Sequence, residues 1–150
     1  YVLSRYGVLG SLTLVQVLLM QLAVEWSIQL SGPFLIHTLA LWGAALCGVG
    51  LGLVVSAIAR RESRAVGAVP LLILPQILFS EVALPVEAMA TVVTTVQKAM
   101  PVHWAYRVFV EGAAAETSWL GIATAFVALA LYGVGLAALS TLALVPRREP

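Results

Sequence analysis

Charge is what this chain has least of. Asp, Glu, Lys and Arg make up 10% of its 150 residues, against roughly 25% in an ordinary soluble domain. The shortage is uneven, with no charge between Trp26 and Ala59 and none between Thr117 and Pro146. Each run exceeds the roughly 20 residues that a helix needs to cross a hydrocarbon layer. A single water-borne core is thereby excluded, and the mean hydropathy of +1.02 is that of an integral membrane segment. Cysteine is nearly absent too: Cys47 stands alone, which excludes an internal disulfide and a thiolate cluster. There is no Gly-x-x-x-x-Gly-Lys phosphate loop, so the segment itself is not expected to hydrolyse ATP. No His-Glu-x-x-His pair occurs, His37 and His103 lie in separate elements, and no serine is grouped with a base and an oxyanion pocket. No catalytic, cofactor-binding or metal-ligating residue is predicted, and no nucleic-acid partner. The first apolar run lacks a small-residue cleavage site, so it is not read as a signal peptide. Beginning at Tyr1, the chain is expected to be a piece of a longer one.

What remains divides at charges, prolines and glycines into four predicted spans, roughly 7–27, 34–59, 65–84 and 119–145. Gly32 and Pro33 mark the first turn. The second turn lies in SAIARRESRAVG, residues 56–67, where four charges interrupt the apolar sequence. Lys and Arg near helix ends are retained on the cytoplasmic side. With four crossings, Arg5, the Arg60, Arg61 and Arg64 loop, and the Arg147 and Arg148 tail share one side, six of the eight basic residues. Both ends are therefore predicted cytoplasmic. The arginines of the turn serve as a topology signal and lipid anchor, and as forks they also suit contact with a cytoplasmic partner.

The third connection is long enough for structure of its own. In PVEAMATVVTTVQKAM, residues 85–100, Met89, Val92, Val93, Val96 and Met100 recur at helical spacing, with threonines and Lys98 on the remaining arc. Pro101 ends that helix, and VHWAYRVFVEGA offers a second, with Trp104 and Tyr106 as interfacial anchors. The resulting helical hairpin, 85–112, is expected either to lie on the outer surface or to enter the membrane and return, its backbone covered by protein. His103 and Arg107, four apart, are placed to share one face of it.

Polar residues inside spans are the site candidates. Gln21, Glu25 and Gln29 form one line on the first span, and Gln16 stands off that line. Glu25, a polar residue at the outer end of its span, either reaches the headgroups or faces a wet interior. On the second span Ala44, Gly48, Gly52 and Ser56 form a small-residue ridge that lets two helices approach closely, within the chain or across a dimer. Pro70 and Pro75 predict a bent or two-part third span, and Gln76 and Phe79 follow the second of them.

The run GLVVSAIARRESRAVGAVPLLILPQILFSEVALP, with PVHWAYRVFVEG downstream, resembles the membrane domain of type-2 ABC exporters of the G-subfamily-like kind, over most of the 150 residues. The resemblance implies an all-α membrane fold in which these four spans are the third to sixth of six, the hairpin being a re-entrant element before the last. It implies two copies of the membrane domain, and a nucleotide-binding domain, fused or separate, that carries ATP and Mg. A cargo path between the copies would be lined by Gln16, Gln76 and Phe79. The main coupling helix would precede the first span here, Tyr1 to Arg5 being its exit, with Arg60, Arg61 and Arg64 a secondary contact to the ATPase. Glu81 departs from the family pattern, standing where many members carry glycine after the Phe-Ser pair. No cysteine exists for the disulfide-bearing outer loop of eukaryotic relatives, so a bacterial member in the plasma membrane is expected. The competing reading is a membrane anchor or assembly subunit with no cargo path, its polar residues serving only packing.

Overall fold

The computed structural model describes residues 2–28, 33–59, 62–78, 91–114 and 118–144. They form six helices: α1 (Val2–Ile28), α2 (Phe34–Ala59), α3 (Glu62–Leu78), α4 (Thr91–Lys98), α5 (Pro101–Ala113) and α6 (Trp119–Leu144). There is no strand among the described residues. Three helices are long and apolar enough to cross a membrane, over Ser4–Ser27, Phe34–Ala59 and Trp119–Ala143. Large apolar side chains are exposed all along them, Leu12, Leu19, Leu35, Leu131 and Val134 included. Helices that show oil on every side are built for a lipid solvent, where burying such side chains brings no hydrophobic gain.

What holds the bundle is close packing of small residues in two stacked clusters. Ala40, Val108, Ile122 and Ala125 form the first, and Cys47, Ala105 and Leu129 the second. From one to the other α2 advances from residue 40 to 47, α6 from 122 to 129, and α5 falls from 108 to 105. The α2 and α6 helices thus run parallel, with α5 antiparallel between them. At the far end the Tyr6 hydroxyl donates to the Leu46 carbonyl at 2.7 Å and Trp42 Nε1 to the Gly10 carbonyl at 2.9 Å, so α1 runs antiparallel to α2. The start of α1 and the finish of α6 therefore share one end of the bundle. A parallel α2 and α6 require the chain to return from one end to the other in between. Among the described residues α3 is the helix that begins this return, packing chiefly against α2.

The expected third span, 65–84, is described as α3 from Glu62 to Leu78, 17 residues or about 26 Å at the helical rise. Phe79, Glu81 and the remainder of that span lie outside the described residues. Instead of two pieces, α3 is one helix that runs through Pro70 and Pro75; membrane helices tolerate proline because neighbouring groups take up the freed carbonyls.

Of the expected hairpin, α5 packs along α6 and α2. Val108 packs level with Ile122, and Trp104 packs with Tyr132 and Leu136. The α5 helix therefore descends alongside α6, and the α4–α5 turn at Lys98–Met100 lies at the level of Tyr132, about 20 Å from the start of α6. On α4, Val96 is 42% exposed, while Gln97 is buried at 2%; Thr91, Thr95 and Lys98 are exposed as well.

Candidate functional site

Two polar groupings stand out inside this apolar frame, one at the outer end of the hairpin and one at its tip. At the outer end, Pro33 starts α2, its carbonyl accepting from the Ile36 and His37 amides. That turn carries His37 inward until it is 1% exposed. Its ring stacks on Phe109 of α5, centroids 4.4 Å apart and planes 14° from parallel. A Cβ at Gly112 would come within 3.1 Å of His37 Nε2, so only glycine lets α5 approach the imidazole this closely without displacing it. Neither ring nitrogen has a hydrogen-bond partner, and the Glu25 carboxylate of α1 acts on the ring electrostatically.

On either side of Phe109 in the chain, Arg107 Nε donates to Glu111 Oε1 at 2.8 Å. The other carboxylate oxygen, Oε2, is buried without a partner, pressed against Gly121 in the first turn of α6. A carboxylate there meets the positive end of the helix dipole, and the Gly121 amide donates to Ser118 Oγ at 3.2 Å, closing that turn. The expected Glu81-to-Ser118 connection is thus fastened to α2 through His37 and to α6 through Glu111. Gly121→Ala would force the carboxylate out of its seat. We expect a loss of about 1–3 kcal/mol, the usual range for overpacking. Most of it should return in the Gly121→Ala, Glu111→Ala double variant, and a double-mutant cycle on thermal unfolding in detergent measures that coupling.

At the hairpin tip the Lys98 carbonyl accepts from Trp104 Nε1 at 2.9 Å and from the Tyr132 hydroxyl at 3.4 Å. The α4 helix has no continuation to use that carbonyl, and two aromatic donors supply what the ended helix lacks. Gln97 beside it has a buried Nε2 without a partner. His103 points inward, edge-on to Trp104 at 5.3 Å, whereas Arg107 is exposed, so the two do not share the face expected of them.

The other predicted site residues are dispersed. Gln16 is exposed on α1, Gln21 is the glutamine that α1 buries, and Glu25 is half-buried. Gln76 is half-buried on α3 and has a partner. Phe79, Arg60 and Arg61 lie outside the described residues, and Arg64 is in the first turn of α3. Gly48, Gly52 and Ser56 are exposed, and a Cβ at either glycine would meet nothing within 4 Å. The intimate contact on α2 is at Gly50 instead, where a Cβ would lie 2.8 Å from Leu136 Cβ. His37 and Glu111 were not predicted as site residues; the Arg107–Glu111 spacing was readable as a helical pair, but nothing local announced their partners on α2 and α6. Among the described residues no three metal-ligating side chains converge.

Long apolar helices, close helix packing and a pair of shorter helices packed among them define a multi-pass, all-α membrane domain. The chain matches the ABC-2 type transporter family over residues 1–113 and belongs to that family. It is a transmembrane permease component of an ABC transporter, a class that works with an ATPase partner. Neither a curated protein nor a solved structure matches it.

Proposed function

We propose that this chain forms, with a second copy of itself or a close relative, the cargo path of an ATP-driven exporter. Both ends of the segment then face the cytoplasm of a bacterial plasma membrane, and a nucleotide-binding domain, fused or separate, carries ATP and Mg. The observation that carries the pairing is the Gly48, Gly52 and Ser56 ridge, turned away from every other described helix. Small residues left bare in lipid gain contact only when another helix packs on them. The shared end of α1 and α6 supports the sidedness, and it agrees with the arginine distribution. Gln16, exposed on α1, and Gln76 and Phe79 toward the end of the third span are the residues assigned to the path.

Gly52→Cys should cross-link to its counterpart in native membranes under mild oxidation, and Leu131→Cys on α6 should not. Equal cross-linking at the two positions, or none at Gly48, Gly52 and Ser56, would remove the pairing. For the transport step, the full-length assembly should show vanadate-sensitive ATP turnover that shifts when Arg60 and Arg61 become Glu. Undiminished transport after Gln16, Gln76 and Phe79 are all changed to Leu would return the chain to the anchor reading.

A further inference from the structure

Two cavities share Trp104 as a wall. One, of about 440 Å³, is bounded also by Arg107 of α5 and by Ser118, Gly121 and Thr124 at the start of α6. The other, of about 540 Å³, continues along α6 past Ala128, Leu131, Gly135 and Leu139. On α6 the two linings join, because Gly121, Thr124, Ala128, Leu131, Gly135 and Leu139 recur every three or four residues and so form one stripe, about 27 Å long. The cavities are two compartments of one groove, parted at an indole that its bond to the Lys98 carbonyl holds in place. Each has the volume of a small-molecule site.

The compartments differ in chemistry. In the second, Leu131 and Leu139 are 68% and 54% exposed, and a Cβ at Gly135 would meet nothing within 4 Å. It presents hydrocarbon around an open floor. The first presents donors. Arg107 is exposed, and Glu111 engages its guanidinium through Nε, one of the five N–H groups of that fork. Ser118 Oγ accepts from the Gly121 amide at 3.2 Å, which leaves the hydroxyl its own hydrogen to donate. Thr124 Oγ1 gives its hydrogen to the Gly121 carbonyl at 2.7 Å. Glu111 offsets part of the Arg107 charge, but its second oxygen is pressed against the first turn of α6, where the positive helix end shares it. What completes this compartment must bring several acceptors within reach of a planar fork, as phosphate oxygens do. What completes the other must be apolar, and a groove so long and narrow takes a chain rather than a compact ring system.

We infer that this groove binds one phospholipid molecule, its phosphodiester on Arg107 and Ser118 and an acyl chain along α6 toward Leu139. The inference concerns binding without nucleotide, and its test reads no transport, so its failure and that of the exporter reading are distinguishable.

The full-length assembly in alkyl maltoside micelles is irradiated with either of two probes that carry a diazirine at the end of the same acyl chain, a lysophosphatidylcholine and a monoacylglycerol. Peptide mass spectrometry reads the label on residues 131–139. The phosphodiester probe should label at a concentration about tenfold below the other, the scale of one hydrogen bond to a charged group. Arg107→Gln should erase that preference while the monoacylglycerol labels as in the parent, which also shows that the variant is folded. Glu111→Gln should keep it, separating the phosphate contact from the ion pair within α5. Gly135→Leu, whose side chain enters the open floor, should remove labelling by both probes. Equal labelling in the parent would overturn the inference, and this comparison decides even where a variant does not fold. A preference that survives Arg107→Gln or is lost in Glu111→Gln, or labelling that survives Gly135→Leu, would overturn it too. So would the absence of label from 131–139 with both probes, because another segment or a second copy would then cover the groove.

Discussion

Gly50→Ala should be the most damaging single methyl that can be added to α2. The new Cβ would lie 2.8 Å from Leu136 Cβ and 3.0 Å from the Tyr6 hydroxyl. Leu136 Cβ is fixed to its backbone and has no rotamer by which to escape. The parallel helices α2 and α6 must therefore separate, and the Tyr6 bond to the Leu46 carbonyl is disturbed in the same movement. Packing is the main force between helices in lipid, so the cost falls at the upper end of the overpacking range, about 3 kcal/mol. Gly48→Ala and Gly52→Ala on the same helix should leave the isolated chain within about 0.5 kcal/mol of the parent, as substitutions away from packed features do. Thermal unfolding in detergent of the three variants side by side is the check. A Gly48→Ala loss as large as that of Gly50→Ala would mean that the described α2–α6 interface is not the one that holds the bundle.

Trp104→Ala should release the hairpin. Trp104 is the side chain that packs against both core clusters, and it also donates to the Lys98 carbonyl. Truncating a packed tryptophan to alanine costs about 3–5 kcal/mol in protein cores. Part of that is water-driven, so a loss near the lower figure is expected in lipid. Its consequence is local, because α1 still packs on α2 and α2 on α6. The expected readout is exposure of α5: a cysteine at Ala105, buried at 6%, should become reactive to maleimide once Trp104 is Ala. The same aromatic pair gives a finer test. Tyr132→Phe removes only the longer of two bonds to one carbonyl and should cost little. Trp104→Phe should cost about 1 kcal/mol, and the double variant, which strips the carbonyl at the end of α4 of both donors, should cost more than the sum. Strict additivity would mean that the two donors do not share the carbonyl.

Much of the fold was legible because lipid imposes a simple rule on composition. Uncharged runs of about 20 residues or more become helices, and α1, α2 and α6 begin and end close to the charges and prolines that bound those runs. The hairpin was legible as two helices broken at Pro101, since proline both ends one helix and suits the first turn of the next. Its partners were not. The spacing of threonines, valines and Lys98 describes a helix but not its neighbours, and those rest on Ala105 and Val108 meeting residues of α2 and α6 that are far away in sequence.

The glycines divide in the same way. Four-residue spacing singles out Gly48 and Gly52, but spacing reports only that two residues share a helix face and not what that face meets. Gly50, on another face, is the one that α6 approaches. Likewise Gln16, Gln21 and Glu25 are equally polar in the sequence, and only the angle at which α1 leans on α2 buries Gln21 and exposes Gln16.

By itself, then, the sequence determined the solvent, the helical type of the long runs and the turn at Pro101, because those follow from local hydropathy and backbone chemistry. The tertiary structure alone decided that α2 and α6 run parallel, that His37 and Glu111 fasten α5 to α2 and α6, and that the Lys98 carbonyl meets Tyr132. Each of those depends on which surfaces of distant helices fit together, a property of shape in three dimensions that no single stretch of chain contains.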